Sequence, residues 1–141
     1  MKVFLDTNVL LDYLLNREGF AEDALQLLLM GNAKEIELCV ADLSISNISY
    51  ITRGTIEKEK FYQVMKSLSR CYTIVPMGEE IVNKALDAQW NDFEDALQYY
   101  AAMKAKVDCI ITRNTKDFKS AEIPVMTAED YLSRAGIKPK A

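Results

Sequence analysis

The 141-residue chain contains no histidine. Its absence excludes Ser–His and Cys–His nucleophile pairs, a histidine general base and the usual ligand sets of zinc enzymes. The three cysteines, Cys39, Cys71 and Cys109, are odd in number and lie in or beside apolar runs, which is typical of reduced core thiols in a cytosolic protein. Neither a signal peptide nor a run of ~20 apolar residues is recognisable, so we expect a cytoplasmic protein that does not span a membrane.

Positive charge is also scarce, with 17 lysines and arginines against 21 acidic residues and a net charge of −4. Domains that coat nucleic acid non-specifically are usually basic, so this balance argues against such a role. It remains compatible with an enzyme that contacts a few phosphates through a local patch. Half of the residues are hydrophobic, and the length suits one folded domain with a core of its own. We predict that this domain covers residues 1–135 and that 136–141 form a flexible tail.

Short apolar runs alternate with helical patterns along the chain. Strands are predicted at residues 2–5, 36–40, 72–75, 108–112 and 124–126, and helices at 9–15, 20–30, 43–52, 56–68 and 79–86, near Asp92 and after Thr127. Gly31 and Asn32 are predicted to end the second helix. Alternating strands and helices imply crossover connections, so the predicted fold class is α/β, a three-layer α/β/α arrangement with a mostly parallel sheet.

Acidic and amide side chains are predicted to meet at one edge of this sheet. Asp6 follows the first strand, Asn114 and Asp117 follow the strand at 108–112, and Asp95 starts the helix that precedes that strand. Parallel sheets bind ligands at the carboxyl ends of their strands. Carboxylates that converge there repel one another unless a proton or a cation intervenes, and hard oxygen ligands select Mg²⁺ or Mn²⁺. Because such an ion can activate water and stabilise a phosphodiester under attack, we interpret the pattern as metal-dependent phosphodiester hydrolysis.

Structural roles compete with this interpretation for individual residues. Asn91 and Glu94 are predicted to cap the helix, and Asp92 suits the helix macrodipole. Asp12 is expected either to be exposed on the first helix or to face Arg17. The pair Tyr99–Tyr100 is assigned to the core and its rim. A basic cluster is either a phosphate-contacting patch or a solvated face; its members are Lys104, Lys106, Arg113, Lys116 and Lys119.

Three segments together resemble the PIN-domain family, whose fold is shared by the VapC-type toxins of bacterial toxin–antitoxin pairs. They are VFLDTNVLLD at 3–12, DFEDALQ at 92–98 and IITRNTKDF at 110–118. The resemblance implies a PIN-like doubly wound sheet and a Mg²⁺- or Mn²⁺-dependent endoribonuclease that often works as a homodimer. It also implies an RNA substrate and an antitoxin protein as a partner.

In that family an acidic quartet holds the metal, and its first and third members fall on Asp6 and Asp95. The second falls on Asn47, in the segment Ser44-Ile45-Ser46-Asn47, and the fourth on Asn114. An asparagine oxygen can ligate a hard cation but brings no charge, so metal affinity should fall. The predicted catalytic residues are Asp6, Asp95 and Asp117, and the predicted metal ligands are Asp6, Asp95, Asn114 and Asp117, with Asp92 and Asn47 as further candidates. Substrate contacts are predicted for Thr7, Ser44, Thr112, Arg113 and Lys116.

Two other classes of function remain open. One is a PIN domain of low catalytic activity that binds RNA or protein. The other is a different α/β phosphoryl-transfer domain. A response-regulator receiver would need an acceptor aspartate after a central strand, and residues 72–77 contain none; a phosphatase with an aspartate nucleophile would need an aspartate at the position of Asn8.

Overall fold

The computed structural model of the chain describes residues 1–118 and 120–137 and contains one five-stranded sheet. Its strands are β1 (Lys2–Leu5), β2 (Glu37–Ala41), β3 (Tyr72–Val75), β4 (Cys109–Ile111) and β5 (Val125–Met126). They lie in the order β3-β2-β1-β4-β5, and all four neighbouring pairs are parallel. The predicted α/β class with a mostly parallel sheet is therefore confirmed, and all five predicted strands are present.

Seven α-helices lie in the described residues, together with a short 3₁₀ helix at Thr115–Phe118. The α-helices are α1 (Thr7–Leu14), α2 (Ala21–Asn32), α3 (Asp42–Thr52), α4 (Lys58–Leu68), α5 (Gly78–Ala88), α6 (Phe93–Ala105) and α7 (Ala128–Arg134). Each corresponds to a predicted helix with small shifts at the ends. Within the described part of the chain, no helix combines the length and apolar character needed to cross a bilayer.

Successive residues of the central strands enter two separate cores, because side chains alternate between the faces of a sheet. Val3 and Leu5 pack with α1, α2 and α7 on one face, whereas Phe4 packs with α5 and α6 on the other. All three side chains are completely buried. A sheet covered on both faces explains why its strands are continuous apolar runs.

The order of the strands places a switch point between β1 and β4. From β1 the chain moves to β2 and β3 on one side and then returns to β4 and β5 on the other. The helices that follow neighbouring strands in opposite directions leave a crevice at the carboxyl ends of β1 and β4, where ligands bind in sheets of this kind. Leu5 and Ile111 are in register at this edge, so the residues that follow them are brought together.

The predicted end of α2 at Gly31 and Asn32 is confirmed, since the helix ends at Asn32. Gly31 itself is the second-last residue of the helix. A Cβ at this position would overlap the carbonyl oxygen of Cys71 and the side chain of Leu38, so the glycine permits close packing of the helix on the sheet. Of the predicted tail, Gly136 and Ile137 belong to the described residues, and Lys138, Pro139 and Lys140 lie outside them.

Candidate metal centre

Asp6 lies at the switch point, directly after β1, and only 3% of it is exposed. The Thr112 hydroxyl donates a hydrogen bond of 2.8 Å to Asp6 Oδ2, and the Asp6 amide donates to the Ile111 carbonyl at 3.0 Å. The amide of Asn114 in turn donates to Thr112 Oγ1 at 3.1 Å. Burial raises the pKa of Asp6, while the hydrogen bond from Thr112 acts in the opposite direction. The loop after β4 therefore orients a buried carboxyl group.

Asp95 approaches the same site from the first turn of α6. Asp92 is the N-cap of this helix, and its Oδ1 accepts a 3.0 Å hydrogen bond from the Asp95 amide. Asp95 is 5% exposed, and its Oδ2 atom is buried without a hydrogen-bond partner. Burial, followed by the charges of four carboxylates, raises the pKa of Asp95 to about 7; these carboxylates are Asp6, Asp92, Asp117 and Glu94. Asp95 therefore lies within the electrostatic reach of four other carboxylates.

Glu94 was assigned by its sequence position to a capping pair with Asn91, and this prediction is wrong. Asp92 caps the helix instead, and Oε1 of Glu94 accepts a 3.2 Å hydrogen bond from Nδ2 of Asn47 on α3. Partial burial raises the pKa of Glu94, as do the charges of Asp6 and Asp92, whereas the bond from Asn47 lowers it. Glu94 is therefore an acidic member of the site that the sequence analysis missed. Its signal was its position next to Asp95 in the first turn of α6.

Asn114 and Asp117 lie in the loop after β4, and both are exposed. Asp117 belongs to the short 3₁₀ helix, and its amide donates to the Asn114 carbonyl at 2.9 Å. Together with Asp92 and Lys116, Asp117 lines a cleft of about 340 Å³. The loop thereby adds the charge of Asp117 to those that raise the pKa of Asp95.

The donor chemistry of this group fits a hard divalent cation. No three acidic or cysteine side chains in residues 1–118 and 120–137 stand close enough together to enclose an ion by themselves. However, Mg²⁺ usually keeps several waters and binds through one or two carboxylates plus substrate phosphates. The unpaired Oδ2 of Asp95 is a buried oxygen for which a cation would be a suitable partner. The group is therefore an open acidic site and not a closed cage.

The three hydroxyl groups predicted to contact substrate are buried and hydrogen-bonded within the protein. Thr7, Ser44 and Thr112 are almost completely buried. Thr7 Oγ1 and Ser44 Oγ are 2.7 Å apart, and Nε2 of Gln98 donates to both, at 3.2 and 3.1 Å. The contacts among Thr7, Ser44 and Gln98 tie α1, α3 and α6 together. Sequence analysis also missed Gln98, whose signal is a polar residue one turn after Asp95 within an apolar helix.

Arg113 is held next to the carboxylates by two contacts. Its Nη2 lies 2.9 Å from Oδ1 of Asp12, and its guanidinium carbon lies 4.2 Å from the centre of the Phe20 ring. Asp12 also pairs with Arg17 at 3.2 Å. Burial raises the pKa of Asp12, and both arginines act against that rise. Asp12 faces Arg17, as one of the two alternatives predicted, but it is buried and not exposed.

The remaining predicted residues have simple placements. Lys116 is exposed. Tyr99 is buried, and its hydroxyl accepts a 3.2 Å hydrogen bond from the Glu122 amide, which confirms its assignment to the core. Lys119, part of the predicted basic cluster, lies outside the described residues.

Carboxylates grouped at the switch point of a parallel α/β/α sheet define an α/β domain with an acidic site suited to divalent cations. The chain belongs to the PIN-domain family, because the family model described as a PIN domain matches residues 2–116. Over 138 residues it is 30% identical to Ribonuclease VapC1 of Aquifex aeolicus (strain VF5), and the match covers 94% of both chains.

Solved structures share the fold. A toxin–antitoxin complex from Klebsiella pneumoniae contains a chain that superimposes with a TM-score of 0.66 at 23% identity, covering 89% of this chain and 97% of that one. VapBC-1 from nontypeable Haemophilus influenzae gives a TM-score of 0.66 at 14% identity, with 91% and 98% covered. VapBC2 from Rickettsia felis, bound to a DNA fragment from its promoter, gives 0.65 at 14% identity, with 89% and 97% covered.

Proposed function

We propose that this protein is a divalent-metal-dependent endoribonuclease that cleaves single-stranded or looped RNA and acts as the toxin of a toxin–antitoxin pair. The observation that carries the proposal is the buried, unpaired Oδ2 of Asp95 among the charges of Asp6, Asp92, Glu94 and Asp117. The name of the relative from Aquifex aeolicus, a ribonuclease, supports the same reaction class.

In the proposed site, different side chains bind the metal, orient Asp6 and contact the RNA. Asp6 and Asp95 hold Mg²⁺ or Mn²⁺, with Asn114 and Asp117 on the loop side and Glu94, Asp92 and Asn47 on the helix side. When bound, such an ion activates water and stabilises the charge that develops on the phosphodiester. Thr112 keeps Asp6 oriented through its 2.8 Å hydrogen bond. Arg113 and Lys116 supply positive charge for the RNA backbone next to this acidic group.

The proposed partners are an antitoxin protein and a second copy of the chain. Solved structures of the same fold include VapBC and other toxin–antitoxin complexes, and an antitoxin that covers the acidic site would control the nuclease. We propose that residues 1–135 act as one domain in both the free and the bound protein.

A second candidate function is an RNA- or protein-binding PIN domain with little turnover. It is favoured by one observation, that no three described carboxylates stand close enough together to enclose an ion. Asn47 and Asn114, which occupy expected acidic positions, also favour this second function, because they lower the negative charge that holds a cation.

Purified protein should cleave a single-stranded RNA when Mn²⁺ or Mg²⁺ is added, and EDTA should stop the reaction. Asp6→Asn and Asp95→Asn should each reduce cleavage by at least about 100-fold, because each removes a charge from the metal site while preserving side-chain shape. Glu59→Gln, at an exposed position on α4, is the matched control and should cleave normally. RNA binding without cleavage at any metal concentration would favour the binding module instead.

A further inference from the structure

A second cleft adjoins the acidic site. Its volume is about 390 Å³, and it lies between the start of α2, the loop after β4 and the start of α7. Thr112 and Asn114 line it, and the Thr112 hydroxyl is bonded to Asp6. A group bound in this cleft therefore lies beside the proposed metal centre. Thr112, Arg113 and Asn114 already have roles in the proposed function, but Phe20, Ala24, Ala128 and Glu129, which also line the cleft, have none.

One wall of the cleft is formed by Phe20 and Arg113, and the guanidinium of Arg113 lies over the Phe20 ring. The guanidinium of Arg113 is fixed at one edge by Asp12 and on one face by the Phe20 ring, at 2.9 and 4.2 Å. The Arg113 side chain is still 33% exposed, and the residue Phe20 is 43% exposed. An immobilised guanidinium–aromatic stack has little rotamer freedom left to lose and offers a flat surface to a further planar group. Proteins hold unstacked RNA bases on surfaces of this kind.

The rest of the lining favours a base over a phosphate. Val9, Ala24 and Ala128 contribute apolar surface, and Glu129 contributes a carboxylate. Two further carboxylates line the cleft, but Asp12 is paired with Arg17 and Arg113, and Asp23 is engaged in an interaction of its own. A carboxylate repels a phosphate and accepts only hydrogen bonds, so it selects a partner with N–H donors on its edge. Guanine presents two such donors side by side, N1–H and the N2 amino group, which match the two oxygens of a carboxylate.

We propose that this cleft binds a nucleobase of the RNA strand next to the scissile phosphate, and that it prefers guanine. The base stacks on the Phe20–Arg113 pair and donates to Glu129. The inference rests on the proposed function, since it assigns the base preference of the same nuclease site. It predicts that cleavage occurs at a constant distance from a guanine.

The first test is cleavage of a single-stranded RNA pool with random sequence, followed by sequencing of the ends. The wild-type protein should show guanine at one fixed position. Phe20→Ala and Arg113→Lys should each lower that preference by about tenfold, because without the flat surface the base is no longer oriented for its hydrogen bonds to Glu129. Lysine keeps the charge of Arg113 but loses its plane. Tyr62→Ala, which removes an aromatic ring that is 63% exposed on α4, should keep the preference. Cleavage with no base preference, or with an equal preference in wild type and Phe20→Ala, would overturn the inference.

A second test separates this inference from the proposed function. Guanosine 5′-monophosphate, titrated into the wild-type protein, should shift the amide NMR signals of Gly19, Phe20, Arg113 and Glu129 more than uridine 5′-monophosphate does. Both nucleotides carry the same phosphate, so the difference between them reports on binding of the base. Phe20→Ala should abolish the difference, and its other signals should show an intact fold. If the protein binds the guanine nucleotide in this way but cleaves no RNA, the base site is supported and the proposed nuclease function is wrong. Equal shifts by both nucleotides would show that the cleft does not select guanine and would overturn the inference.

Discussion

Asn47 on α3 and Glu94 in the first turn of α6 are joined by a hydrogen bond of 3.2 Å between Nδ2 and Oε1. The family resemblance placed an acid at position 47, and the asparagine there instead contacts a carboxylate from another helix. Glu94 therefore supplies negative charge close to the point where Asn47 supplies none. This pairing explains how the site retains an acidic character despite the asparagine.

The first prediction concerns the charge of Glu94. Glu94→Gln should weaken Mn²⁺ binding by roughly tenfold, about 1.4 kcal/mol, because it removes a carboxylate from the field around Asp95. Glu79→Gln, in the first turn of α5 and exposed, is the control and should bind as the wild type does. Isothermal titration calorimetry measures both. Equal Mn²⁺ affinity in the two variants would show that Glu94 has only a structural role.

The second prediction concerns the pH dependence of folding in the absence of metal. Asp95 has a pKa raised from 3.8 to about 7, so between these values the native protein keeps a proton that the unfolded chain has lost. The free energy of unfolding should therefore fall as pH rises from about 4 to about 7 and then level off. The buried carboxyl of Asp6 and the carboxyl of Glu94 also have raised pKa values and act in the same direction.

Urea unfolding of Asp95→Asn across this pH range tests the assignment. The amide keeps the shape and loses the charge, so the variant should be more stable than wild type at pH 8, by about 2–4 kcal/mol, since a pKa difference of one is worth about 1.4 kcal/mol. At pH 4 the two proteins should be nearly equal. Wild-type and variant curves that remain parallel throughout would show that Asp95 titrates normally.

Hydrophobic periodicity and the alternation of strands with helices along the chain made most of the fold predictable. Asp6 follows an apolar run that can only be a buried strand, and parallel strands carry their following residues to one edge. What failed were assignments that depend on contacts between segments distant in the sequence. Nothing near Asp12 indicates that Arg113, about a hundred positions away, pairs with its carboxylate and allows it to be buried. Gly31 was predictable as part of the end of α2, but its close approach to Cys71 and Leu38 was not.

The third prediction concerns Gln98, which is completely buried and bonded to Thr7 and Ser44. Gln98→Ala should destabilise the protein by about 2–4 kcal/mol, because it leaves a cavity at the junction of three helices. Gln98→Met fills the space and should cost less than about 1.5 kcal/mol, since Thr7 and Ser44 still bond to each other at 2.7 Å and the unpaired Oε1 of Gln98 is removed. Chemical unfolding measures both. Equal losses would show that the hydrogen bonds of Gln98, and not its volume, hold the helices together.

The last prediction concerns the charge of Arg113. If the guanidinium contributes to RNA binding, Arg113→Ala should weaken the complex and reduce the slope of log affinity against log salt by about 1, because one fewer counterion is released. Arg113→Lys keeps the charge and should keep the slope while losing base preference. Arg70→Ala, an exposed arginine lining a cleft with Lys2 and Asp108, is the control. RNA binding should be measured by fluorescence anisotropy under conditions in which the wild type and the variants are equally folded. This is needed because Asp12 loses its 2.9 Å partner in the alanine variant and keeps only Arg17. An unchanged slope in Arg113→Ala would mean that Arg113 serves Asp12 alone, and the RNA backbone would then have to be contacted through Lys116.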